Sequence, residues 1–216
     1  MESKIATIQT AGLDAKGIVR LVTAEVEITN GIGIHLVGIA DRYVKESLLR
    51  IVTALQSLGF RLPGQKVVIN LAPSTMFKNG AGYDLAIALG ILIASEQIKV
   101  PEEILRRCLF YGELGLDGSI RGTVEKCGRA IVGEMHHLVG ERPLAFVTSY
   151  DTALQAATYP DVIPYGFDNL SKVLRVIQKD TQGSLAGTAN IIWNTHHWHQ
   201  TIEEINNVLR SGVYPL

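Results

Sequence analysis

Hydrophobic and polar positions alternate along much of the first forty residues. Leu21-Val22-Thr23-Ala24-Glu25-Val26-Glu27-Ile28-Thr29 has a period near two and predicts a strand over about 20–29. Shorter extended runs are expected at Lys4 to Ile8 and Gly33 to Val37. The tight Asn30-Gly31 pair between the 20–29 strand and Gly33 to Val37 predicts a hairpin joining those two.

After Asp41, an expected N-cap, the period lengthens to that of a helix. Val44, Leu48, Ile51, Val52 and Leu55 then share one face. Glu46 and Arg50 are expected to pair one turn apart on the outer face, and Gly59 ends the helix. Arg61-Leu62-Pro63-Gly64 reads as a turn, and Lys66 to Leu71 as a central strand rich in β-branched residues. Residues 83–95 predict an apolar helix, and 101–107 a short one opened by Pro101.

Leu109 to Leu114 and Ser119 to Arg121 predict a second hairpin across the turn at Gly115 to Gly118. A helix over about 123–137, a strand at 144–148, a helix at 150–157, a strand at 162–165 and a helix at 169–177 complete the pattern. The whole predicts an α/β (α+β) domain, a mixed β-sheet with packed helices, over residues 1–178. A small, polar linker follows at 179–190, and then a tail, 191–216, with an amphipathic helix near 201–210.

Composition narrows the class. The 20 Lys+Arg against 21 Asp+Glu exert no global pull toward phosphate backbones or acidic membranes, so DNA contact needs a local patch. Arg42, Lys45, Arg50 and Lys78 are the candidates for one. The longest apolar run, Leu85 to Ala94, is well short of the ~20 residues a bilayer needs, so no membrane partner is expected. Two cysteines, Cys108 and Cys127, and an opening unlike a signal peptide favour the cytoplasm.

The candidate functional turn is Lys78-Asn79-Gly80-Ala81-Gly82-Tyr83-Asp84, which runs into the apolar helix. Free N–H groups at a helix start could cradle an anion, but the Asp84 carboxylate would repel a phosphate, and a structural turn is the expectation. No GxxxxGK[ST] loop occurs, no cofactor is expected, and the chain alone is not expected to hydrolyse ATP.

Three segments, VEITNGIGIHLVGIADRYVKESLLRIVTALQSLGF, KVVINLAPSTMFKNGAGYDLAIALGILIAS and FYGELGLDGSIRGTVEKCGRAIVG, together resemble the N-terminal domain of the magnesium-chelatase-like, ComM-type AAA ATPases. The resemblance implies a ribosomal-protein-like α/β fold similar to the proteolytic domain of Lon. Lon-type enzymes carry a serine where this turn aligns Gly82, and their lysine aligns with Arg129, one turn after Lys126. A glycine offers no nucleophile and a guanidinium stays protonated, so both halves of the dyad are missing and no catalytic residue is expected.

The family's domain precedes an ATPase module, whereas only the linker and tail follow here. The resemblance therefore implies either a domain whose module is missing or a standalone relative whose AAA ATPase partner is another polypeptide. It implies a non-catalytic scaffold and oligomerisation domain, a homo-oligomer that could be a ring, accessory to DNA processing such as branch migration, competence or recombination. Leu114, Leu116 and Ile120 are the candidate subunit-contact residues; alternatively they complete the core. Two other classes stay open. One is a Lon-like serine hydrolase with its nucleophile relocated to Ser74 or Ser119. The other is a metal-binding module through His196, His197 and His199, although the interleaved Trp193 and Trp198 favour an amphipathic docking arm.

Overall fold

The computed structural model describes residues 5–14, 16–38, 42–76, 78, 80–122, 144–157 and 162–179. The expected helix over 123–137, with Lys126 and Arg129, the linker past Lys179 and the histidine-bearing tail lie outside them, as does Asn79.

Ile5–Leu13 (β1) and Val19–Thr29 (β2) form an antiparallel hairpin in which Ile5 faces Glu27 and Leu13 faces Val19. Asp14 pins its turn: Oδ1 accepts from the N–H groups of Lys16 and Ile18, each at 2.9 Å. Such Asx geometry replaces a backbone turn with a side chain.

Ile34–Val37 (β3), Arg42–Ser57 (α1) and Lys66–Ala72 (β4) follow. The hairpin expected across Asn30-Gly31 does not form. β3 instead pairs in parallel with β4, and β4 lies antiparallel to β2, giving the order β1-β2-β4-β3. β3, α1 and β4 are thus a βαβ unit, since parallel neighbours need a crossover and α1 supplies it. Central placement suits β4, whose Val67, Ile69 and Leu71 are buried beneath the helices.

Asp84–Ala94 (α2) is buried nearly all round, as its unbroken apolar sequence predicts. Gly90 lets it lie close on β2: a Cβ there would come 2.5 Å from Cγ2 of Val26. Glu102–Arg107 (α3) leads into Cys108–Phe110 (β5), followed by the small hairpin of Glu113–Leu114 (β6) and Ile120–Arg121 (β7).

Leu144–Ser149 (β8), Tyr150–Ala156 (α4), Val162–Phe167 (β9) and Leu170–Lys179 (α5) alternate as expected. Ser149 caps α4, its Oγ accepting from the Thr152 N–H at 3.3 Å. β5, β8 and β9 form a second, all-parallel sheet in the order β5-β8-β9. The fold is therefore α/β, with helices on a mixed four-stranded sheet and a parallel three-stranded one. A shared core of Ile8, Val26, Ile51, Ile69, Leu89, Phe110 and Leu174, among others, joins the two.

Candidate functional site

The glycine turn and the β6–β7 hairpin meet at the start of α2. The Gly112 N–H donates to the Gly82 carbonyl at 2.9 Å, and the Leu85 N–H donates back to the Gly112 carbonyl at 3.1 Å. The Asp84 N–H is taken by the Ala81 carbonyl at 3.2 Å. N–H groups that an anion would need at this helix start are thus already committed.

Asp84, fully buried, is the polar centre of this junction. Its Oδ2 accepts from Nε of Arg50 at 3.1 Å and from the Leu114 N–H at 3.1 Å. Arg50 also donates to Ser47 Oγ at 2.8 Å. One carboxylate therefore ties α1, α2 and β6 together. Burial nevertheless raises its pKa to about 6, against the opposing pull of its Ser47, Arg50 and Leu114 partners. Arg50, expected on the outer face of its helix, turns inward, its side chain 23% exposed.

Lys78 is buried too, 1% exposed, and its ammonium donates to the Pro73 carbonyl. Desolvation lowers its pKa. Neither Lys78 nor Arg50 can therefore serve the expected basic patch, of which Lys45 is the exposed member among the described side chains.

Gly82 is packed against an aromatic ring. A Cβ built on it would lie 2.0 Å from Cε2 and 2.3 Å from Cζ of Tyr111, so the space a side chain would need is filled. Tyr111 is itself held by Phe146, ring centroids 6.4 Å apart, in a second cluster with Ala11, Val19 and Leu109. Gly80, with φ +81°, takes the left-handed conformation that favours glycine.

The structure brings Lys78, Gly80, Gly82 and Asp84 into one turn and sets the hairpin against it. Of the hairpin candidates, Leu114 and Ile120 are core residues, whereas Leu116 is 56% exposed at the tip. Ser74 is exposed on the loop after β4, and Ser119 N–H donates to Oδ1 of Asp117 at 3.0 Å in the hairpin turn. Sequence reasoning missed Arg50 and Tyr111. A usable signal existed for the first: Ser47 and Arg50, three apart, flank the apolar stripe of α1 where a purely solvated face would not need them. Tyr111 carried none, because its role depends on a contact distant in sequence.

No group of three or more potential metal ligands occurs among the described residues, and no helix among them is long and apolar enough to cross a membrane.

The chain is 42% identical over 104 residues to competence protein ComM of Haemophilus influenzae, an alignment covering 48% of this chain and 20% of that protein. The uncharacterized protein YifB is 41% identical over 103 residues in Salmonella typhimurium and 40% over 103 in Escherichia coli, in each case covering 47% of this chain and 20% of the relative. The chain thus matches about a fifth of the length of these relatives. The family model for subunit ChlI of Mg-chelatase matches residues 24–138, more than half of the chain and including both turn and hairpin. The chain therefore belongs to the ChlI family of Mg-chelatase-like proteins.

Proposed function

We propose that this domain is a non-catalytic scaffold that organises the assembly of ComM-like ATPases and, through them, serves DNA processing in the cytoplasm. The observation that supports it is the contact between Tyr111 and Gly82. Where the resembling proteases carry their nucleophile, an aromatic ring fills the space beside a residue with no side chain. The adjacent carboxylate, on α2, is buried and bonded to two other elements, α1 and β6, which makes it a clamp and not an acid or base open to substrate.

The mechanism is geometric. Asp84 fixes the glycine turn, the hairpin and α1 in one rigid unit, so the hairpin tip, with exposed Leu116, is presented at a constant angle. Association through such a surface uses buried apolar area and a few hydrogen bonds. DNA contact belongs to the assembly, reached through an ATPase module or partner.

The test is a pair of measurements on the purified chain. Light scattering at micromolar concentration, alone and with a ComM-like ATPase module, should show a self-assembled species or a complex. Turnover of an unstructured peptide, lost on a single side-chain substitution, would overturn the reading.

A further inference from the structure

We propose that the open face of the four-stranded sheet seats residues 191–200 of the same chain, IIWNTHHWHQ, with the donors of that segment on the carboxylates of Glu25 and Glu27. The contact stands whether or not the scaffold reading does.

Side chains alternate between the two faces of a sheet. Ala6, Val26 and Ile69 sit side by side on one face and are buried in the core shared with α1 and α2. The other face is open among the described residues. One row across its four strands is Ile5, Glu27, Val68 and His35; the next is Thr7, Glu25, Asn70 and Val37. Every one of these is exposed or half-buried. Ile5, Val37 and Leu21 leave large apolar side chains in water around the periphery, while two carboxylates stand one strand period apart on β2 at the centre. Oε2 of Glu25 accepts from Nδ2 of Asn70 at 2.8 Å. Asn70 is a neutral donor, and the carboxylate keeps room for more.

The occupant must therefore supply apolar area and hydrogen-bond donors and carry no negative charge. A nucleic acid fails on the last count, since its phosphates would face the two carboxylates. A second copy of the face fails as well, because it would set one carboxylate pair against another. The segment IIWNTHHWHQ meets all three requirements. It has no acidic residue, and it holds both of the chain's tryptophans, Trp193 and Trp198, and three of its six histidines. Indole and imidazole N–H groups, with the amides of Asn194 and Gln200, are donors suited to carboxylates. The residues that follow do not meet the requirements, because they include Glu203 and Glu204. Reach allows the contact. α5 ends at Lys179, and residues 180–190 extend to roughly 36 Å, more than the ~30 Å diameter of a small domain. A tether of this kind supplies its segment at an effective concentration of about millimolar, which a free partner must exceed to compete.

The test is tryptophan fluorescence of the full chain in a chelating buffer, because the emission arises only from Trp193 and Trp198. Circular dichroism confirms the fold of each variant. In the wild type the emission should lie to the blue of free tryptophan, and acrylamide should quench it severalfold less. Glu25→Lys with Glu27→Lys removes the acceptors and should return both readouts to the free values. Val37→Asp, at an exposed edge position, should do the same and carries the test should the lysine pair not fold. His196→Glu, His197→Glu and His199→Glu together should also free the tryptophans, and adding the two lysines should cover them again. Leu49→Asp, exposed on α1, should change nothing. Tryptophans that quench like the free amino acid in the wild type overturn the proposal, and so does emission indifferent to the face variants. Blue-shifted emission that is lost on dilution, as the sedimenting species falls to a monomer, would assign the segment to a neighbouring copy and overturn it too.

Discussion

Nε of Arg50, in the middle of α1, lies 3.1 Å from Oδ2 of Asp84 in the first turn of α2, and the carboxylate it meets is wholly buried. Thirty-four residues apart in the chain, the two make one junction of a helix, a second helix and a hairpin.

Breaking that pair from one side should be costly. Arg50→Met leaves Asp84 buried without its cation, and Asp84→Leu leaves the guanidinium without its carboxylate. Each is expected to lose roughly 3–5 kcal/mol in urea unfolding. The double variant should recover part of this, since removing both charges also removes their desolvation. Additive losses in the cycle would show that the pair is not coupled.

The same carboxylate sets a pH dependence. Its folded pKa of about 6 stands above the ordinary carboxyl value of 3.8, so the folded state holds this proton more tightly than the unfolded one. Its favourable contribution is complete below the unfolded value and is lost as pH rises to about 6. The loss is on the order of 3 kcal/mol. Stability of the wild type relative to Asp84→Asn should therefore fall between these limits and level off above. A difference that rises with pH would contradict the environment described.

Installing a serine in the glycine turn should not create a peptidase. In Gly82→Ser the Cβ would come 2.0 Å from the Tyr111 ring, so the ring or the turn must move. Overpacking of this kind costs about 1–3 kcal/mol or more. The expected outcome is a lower urea midpoint, no peptide turnover and no labelling by a serine-directed phosphonate. Labelling of the wild type at Ser74 or Ser119 would instead favour a relocated nucleophile.

Gly90 sets the distance between α2 and the sheet. Gly90→Ala gains helix propensity but brings a methyl group 2.5 Å from Cγ2 of Val26, and the steric cost should win by about 1–3 kcal/mol. Val26→Ala in the same chain should relieve most of the strain, measured as recovery of the unfolding midpoint. No relief would place the cost elsewhere.

The local pattern made most elements legible. The apolar helix expected at 83–95 is found at Asp84–Ala94, and the strand expected at 66–71 runs from Lys66 to Ala72 between two neighbours. What failed was pairing. Asn30-Gly31 is a strong turn signal, but a turn reports only where the chain bends, whereas the partner of Ile34–Val37 is decided by a crossover through a sixteen-residue helix. The site divides the same way. That position 82 carries no side chain was readable from one letter, but the ring that fills the space beside it belongs to a residue twenty-nine places on, and the inward turn of Arg50 was visible only in the ambiguous placement of Ser47 beside it.

Because Lys66–Ala72 lies between two strands that precede it, the order of synthesis and the order of space disagree. A nascent chain that has emerged through Val37 can close the hairpin of β1 and β2, a local event, but its third strand has no edge to join until some thirty further residues arrive with α1 folded. The open flank of β2 must stay unmated through that interval. Assembly of the sheet is thus gated by the helix that carries Arg50, and the residue that later clamps the turn rides on the segment whose docking completes the sheet.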